Sequence, residues 1–257
     1  MDILQIITKV YMNLKPVINH MLINVQIKNN NIKILESNNI KMSSIKNKFS
    51  KKFILTNCIY YKNNIEQIFI DFDFVYFVIE ITNKYDEKEV LYTFNLRIED
   101  FIINQGNVQL LGIPIIDFDA KNYDQNVVDF FMKWENGEII SFLDLNTECK
   151  KSYNYSCLMW SGVPRKLNKT FYEINLELVK SNADFYNIVG NYFFGDRGYI
   201  GHDSYSFQDS FNNIIRNSEQ KVTIALKKYL DIKFQDKLYI DKIIIKEYDN
   251  IKFEIKS

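Results

Sequence analysis

From Phe171 to Lys256 the spacing of apolar residues switches repeatedly between the strand and helix periods, and this alternation limits the possible folds of the segment more than any other feature of the chain. Phe171-Tyr172-Glu173-Ile174-Asn175-Leu176-Glu177-Leu178 alternates at period two, which places Tyr172, Ile174, Leu176 and Leu178 on one face of a strand. Ser181-Asn182-Ala183-Asp184 then reads as a helix start, a capping hydroxyl with an acid three residues on. Phe185, Val189, Tyr192 and Phe193 supply the core stripe of that helix. A glycine-containing loop follows, and Asp203 or Ser204 caps a second helix with its stripe at Phe207, Phe211, Ile214 and Ile215. Lys221–Leu226 and Ile251–Lys256 read as strands. Between them, 236–248 fits a helix, while Ile243–Tyr248 followed by Asp249-Asn250 fits one arm of a β-hairpin equally well. With the helical reading the order is β-α-loop-α-β-α-β, and strands joined by helical crossovers lie parallel. The expectation for 171–257 is therefore a small parallel sheet flanked by helices.

The first 165 residues have a different texture. Segments 21–28, 53–61, 66–82, 88–95, 106–116, 127–134 and 138–144 are rich in Ile, Val, Phe and Tyr, and several alternate with polar positions, which predicts strands. Ile68–Phe74 followed by Val75–Ile81 is long enough for one bent strand or two. Glu135-Asn136-Gly137 lies between two apolar runs and signals a hairpin, because Asn-Gly readily takes positive φ. The polar run Lys28–Lys52 reads as a loop, and Ser161–Thr170, where Gly and Pro occur together, as a linker. The chain is thus expected to be α+β and two-domain: a β-rich domain over 1–165 and an α/β domain over 171–257.

Composition excludes several functional classes. Lys+Arg and Asp+Glu each number 32, so nothing global favours nucleic acid or a membrane surface. No window approaches ~18 uninterrupted apolar residues. Cys58, Cys149 and Cys157 are odd in number and match neither a disulfide framework nor a metal motif, which favours a reduced, cytoplasmic setting. The start Met1-Asp2-Ile3-Leu4 lacks the basic residue of a signal peptide. With only His20 and His202 and no G-x-S-x-G motif, a serine-type triad has little support. His202 beside Asp203 lacks the second histidine that a zinc site would want. Gly195, Gly198 and Gly201 do not make a phosphate cradle either, since Asp203 occupies the helix end that would receive the anion. No enzyme, cofactor or metal is therefore expected.

A local charge imbalance remains. Ser181–Gln220 contains no lysine and carries Asp184, Asp196, Asp203, Asp209 and Glu219 against Arg197 and Arg216. The lysine-free run 89–120 shows that such a gap alone decides little. On the second helix, however, Tyr205, Gln208 and Asp209 fall on a different face from Phe207 and Phe211, because each residue turns ~100°. With Tyr199 joining from the loop, this face sets aromatic anchors beside a carboxylate, a combination common in protein interfaces; the plainer alternative is that Tyr199 and Tyr205 are half-buried and the acids only solvate a helix N-terminus.

Over 171–257 the element order and the segment Tyr199-Ile200-Gly201-His202-Asp203-Ser204-Tyr205-Ser206-Phe207-Gln208-Asp209 resemble the barstar family of ribonuclease-inhibiting immunity proteins. The family pattern reads Tyr-Tyr-Gly-Glu-Asn-Leu-Asp-Ala-Leu-Trp-Asp. Its first tyrosine falls on Tyr199, its glycine on Gly201, and its last aspartate, which enters the ribonuclease active site, on Asp209. Tyr205 stands where the family has the other aspartate, Gln208 where it has tryptophan, and Asp203 lies one position from an expected amide. The resemblance implies a barstar-like fold and a cytoplasmic antitoxin that occludes a basic ribonuclease-type toxin through Tyr199, Gly201, Asp203, Tyr205, Gln208 and Asp209. The alternative is a non-catalytic interaction module of the same fold with a different partner.

Overall fold

The structure, a computed structural model, describes residues 23–29, 31–44, 49–115, 123–163 and 166–256. The chain is α+β, with one large antiparallel sheet and one small parallel sheet. The large sheet has eight strands: β1 (Ile23–Asn29), β2 (Ile32–Ser37), β3 (Asn39–Ser44), β4 (Lys51–Thr56), β5 (Ile59–Tyr60), β6 (Phe74–Thr82), β7 (Lys88–Asn104) and β8 (Asn107–Pro114), in the order β3-β4-β8-β7-β6-β1-β2-β5. Only Asn38 separates β2 from β3, yet these strands stand seventh and first in that order, so the sheet must curl until its ends approach. Ser37 marks the join, its hydroxyl donating to the carbonyls of Asn39 and Thr56. Inside the curl, Phe53, Phe77 and Phe94 stack with ring centroids 4.6–5.4 Å apart. Around them lie Ile23, Val25, Ile27, Ile79 and Leu96.

Among the described residues, three helices accompany this sheet: α1 (Ile65–Asp71), α2 (Gln125–Glu135) and α3 (Thr147–Ser161). Two of them overturn strand expectations. Residues 127–134 belong to α2, where Val127, Val128, Phe131 and Trp134 recur at helical spacing and are buried. The Asp124 carboxylate caps its start by accepting from the Asn126 amide. The expected Asn-Gly hairpin is the end of this helix. Gly137, at φ 73, ends it in a Schellman motif, with the Glu138 amide on the Lys133 carbonyl (2.9 Å) and the Gly137 amide on that of Trp134 (3.1 Å). Positive φ serves a helix stop as readily as a hairpin, so the dipeptide alone did not choose between them. Residues 138–144 contain a single 3-10 turn and no strand. Residues 65–71 form α1, which buries Ile65 and Phe69 at i, i+4, and the following strand begins only at Phe74. The expected loop Lys28–Lys52 contains β2 and β3, anchored by buried Ile34, Leu35 and Ile40, while 45–48 lie outside the described residues. Pro164 and Arg165 of the expected linker, and the terminal residues 1–22, also lie outside them.

The small sheet follows the expected order. β9 (Phe171–Asn175), β10 (Val222–Lys227) and β11 (Ile251–Lys256) pair in parallel as β11-β10-β9. α4 (Asn182–Phe194) and α5 (Ser204–Asn217) connect the first two; α6 (Lys237–Ile244) makes the first part of 236–248 helical, and 245–248 form neither helix nor strand. Tyr172, Ile174, Phe185, Val189, Phe193, Phe207, Phe211, Ile214, Ile224 and Ile240 form a second core, whereas Leu178 and Tyr192 of the expected stripes are exposed. The opposite face of the sheet meets solvent with Glu173 paired to Lys227 and Lys256, and Lys252 to Glu254.

Helix α3 joins the halves. Its Lys150 ammonium lies 2.8 Å from the Asp184 carboxylate at the start of α4. The Asn154 amide donates to the Ala183 carbonyl, and Asn187 donates to Asn154.

Candidate functional site

The loop after α4 begins at Gly195, whose φ of 81 ends the helix, and Gly198 lets the chain fold back onto it. A Cβ on Gly198 would stand 2.3 Å from the carbonyl oxygen of Gly190 on α4. At the far end of the loop, Asp203 caps α5 in a reciprocal box. Its carboxylate accepts from the Ser206 amide at 2.7 Å, and the Ser206 hydroxyl accepts from the Asp203 amide at 3.1 Å. Partial burial pushes the Asp203 carboxyl up, but the Ser206 hydrogen bonds and neighbouring His202 outweigh it and hold the group below its ordinary value.

Tyr199 and Gly201 are not where the sequence placed them. Tyr199 is 4% exposed and packs with the core of the large sheet. Its hydroxyl meets His202 Nδ1 at 2.9 Å, and burial pushes its pKa up to about 12. The outward anchor expected beside a glycine turn is absent: the loop turns the ring inward against the other half of the chain. Gly201 is buried at φ 151, with the site of a Cβ 2.7 Å from the Phe207 backbone. Its role is steric, since it lets the loop cross the first turn of α5. Gly201→Ala is therefore expected to lower unfolding stability by about 1–3 kcal/mol, read from denaturant midpoints. An unchanged midpoint would mean that the crossing is not tight.

The remaining sequence-designated residues share one surface. Asp203, Tyr205, Gln208 and Asp209 are exposed, Tyr205 to 73%, along the face of α5 opposite Phe207, Phe211 and Ile214. No described residue pairs with the Asp209 carboxylate. From 198 to 215 there is no lysine or arginine, and Arg197 is turned onto the rings of Trp134 and Trp160. Within this stretch the only group able to carry positive charge is therefore His202, which lies 3.6 Å from the Asp203 carboxylate. The sequence reading missed the contribution of α6: the Tyr239 hydroxyl donates to the Gln208 side-chain carbonyl, and its ring centroid lies 5.9 Å from that of Tyr205. Leu238 beside it is exposed. Choosing the helical reading of 236–248 would have brought these residues to the site.

The arrangement offers hydrogen-bond acceptors and aromatic area but little for bond chemistry. His202 is shared between Tyr199 and Asp203, the latter 3.6 Å from Nε2. Among the described residues no group of three His, Cys, Asp or Glu side chains is placed to hold a metal ion. No described helix is long and apolar enough to cross a membrane. Comparison of the chain with protein-family models, curated proteins and solved structures found no match.

Proposed function

We propose that the chain is a barstar-like immunity protein that binds a basic ribonuclease-type toxin in the cytoplasm and covers its active site, with no chemistry of its own and no cofactor. The observation that carries this reading is Asp209, an exposed carboxylate with no described partner, beside Tyr205 and Gln208 on α5. A ribonuclease site is lined with cations that hold phosphate, and a carboxylate on a rigid helix can take the place of that phosphate. Helical placement means little side-chain and backbone freedom is lost on docking. The order β9-α4-loop-α5-β10-α6-β11 agrees with the element order that the resemblance implies. Tyr199 and Gly201 leave the proposed contact set because both are buried, and Tyr239 joins it through Gln208 and Tyr205. Complementary charge would chiefly speed encounter, with the aromatic contacts slowing release.

The test is co-expression with the product of the adjacent gene and with a panel of basic ribonucleases, scoring growth and co-purification. Rescue of growth together with a stable complex is expected for at least one toxin. Capture of a non-ribonuclease partner through Asp209 would instead support a general interaction module, and no capture at all would remove the inhibitor reading.

A further inference from the structure

Arg197 has no role in the proposed contact, yet its environment is built with care. It stands at φ 59, a left-handed backbone conformation unfavourable for an L side chain. Its guanidinium carbon lies 4.6 Å from the ring centroid of Trp134 and 5.4 Å from that of Trp160. The two rings are 6.2 Å apart at 57°, which makes an open aromatic slot between α2 and α3. Asp196 adds an ion pair at 3.4 Å from the solvent side. Next in sequence, Gly198 presses on Gly190 of α4, and Tyr199 enters the core of the large sheet. Residues 197–199 are thus held by α4 on one side and by the N-terminal half on the other, immediately before the loop reaches α5.

We infer that Arg197 is a positioning residue: seated between the two tryptophans, it latches the loop to the N-terminal half, so that this half sets how the start of α5 is presented. The chemistry suits arginine. A planar guanidinium stacks on flat rings and is weakly hydrated, whereas the compact lysine ammonium holds its water. The clamp also offsets the unfavourable backbone at this position, which would otherwise relax into another turn. Only the consequence for partner binding rests on the proposed function; the latch itself concerns the free protein.

Amide hydrogen exchange on the full chain without any partner tests it, together with tryptophan emission, because Trp134 and Trp160 are the only tryptophans and report on the slot alone. Arg197→Ala should speed exchange across 196–206 about tenfold and shift the emission to longer wavelength, while amides of β7 and β10 keep their protection. Trp160→Leu should loosen the same loop from the other side of the slot, and the double variant should loosen it no further than the stronger single one. Arg197→Lys should restore part of the protection. Unchanged loop exchange, additive effects, or an equal rise in β7 and β10 would each overturn the latch, the last by making Arg197 a general stabiliser. Asp209→Ala should leave loop exchange as it is, so failure of the latch and failure of the proposed contact can be told apart.

Discussion

Asp209→Ala is expected to weaken capture of a basic ribonuclease on the order of 100-fold or more while leaving the unfolding midpoint in place. The separation follows from where the residue sits. Its carboxylate has no described partner and projects from the side of α5 opposite Phe207, Phe211 and Ile214, so truncation removes no internal contact. In a complex, the same group would be desolvated against the cations of the enzyme, and removing it would leave those cations buried and unpaired. Asp209→Asn retains the shape and loses the charge, so it should recover little of the affinity. Association of the wild type should slow with added salt, and the variant should depend on salt less steeply, since one charge no longer steers the encounter. Asp203→Ala provides a contrast. It removes the α5 cap and should cost about 1 kcal/mol of stability, read as a lower unfolding midpoint. Undiminished capture by the Asp209→Ala protein would show that the carboxylate is not the contact.

How much of this site could be read beforehand differed from residue to residue. The cap at Asp203 and the outward Gln208 and Asp209 follow from local geometry: a capping box and a 100° turn per residue need nothing from the rest of the chain. The small sheet was legible for a similar reason, because short strands separated by helix-patterned segments leave few ways to connect. Tyr199 was not legible. Its environment comes from residues far away in sequence, and no local pattern shows that a loop tyrosine will meet the core of another half. The same holds for Arg197, whose partners Trp134 and Trp160 precede it by tens of residues. In the first half, α2 was misread because Val127-Val128 and Phe130-Phe131 favour strands by type while their spacing favours a helix. Burial of both pairs between the curled sheet and α3 decided for the helix, a tertiary influence that propensity does not contain. α3 has no clear apolar stripe. It buries Ser152, Asn154 and Ser156 beside Tyr153 and Cys157, because it serves a polar seam on one side and a core on the other.

That seam carries the second large effect, a loss of about 3 kcal/mol of unfolding stability at pH 7 in Lys150→Ala. Asp184 is 1% exposed, and three groups satisfy its carboxylate: the Lys150 ammonium at 2.8 Å, the Ser181 hydroxyl at 2.8 Å and the Lys180 amide at 3.1 Å. Burial alone would push its pKa up, but these three together hold it below the ordinary carboxylate value. The pair's stabilisation is therefore complete above the unfolded-state pKa of ~3.9 and is lost as pH falls through the lower folded value. Without Lys150, only Ser181 and Lys180 oppose the burial that raises the Asp184 pKa, and the expected result is a reversed sign. Asp184 then gains a proton more readily folded than unfolded, so the deficit of the variant should be largest near neutrality and should shrink as pH falls toward 4. The uncharged double variant Lys150→Met, Asp184→Asn should recover most of the loss, because it replaces a buried lone charge with groups that need no counterion while one amide oxygen still accepts from Ser181 or Lys180. Guanidinium unfolding curves at pH 7 and pH 4 measure both points. A deficit independent of pH, or a double variant as weak as Lys150→Ala, would mean that the ion pair is not what ties α3 to α4.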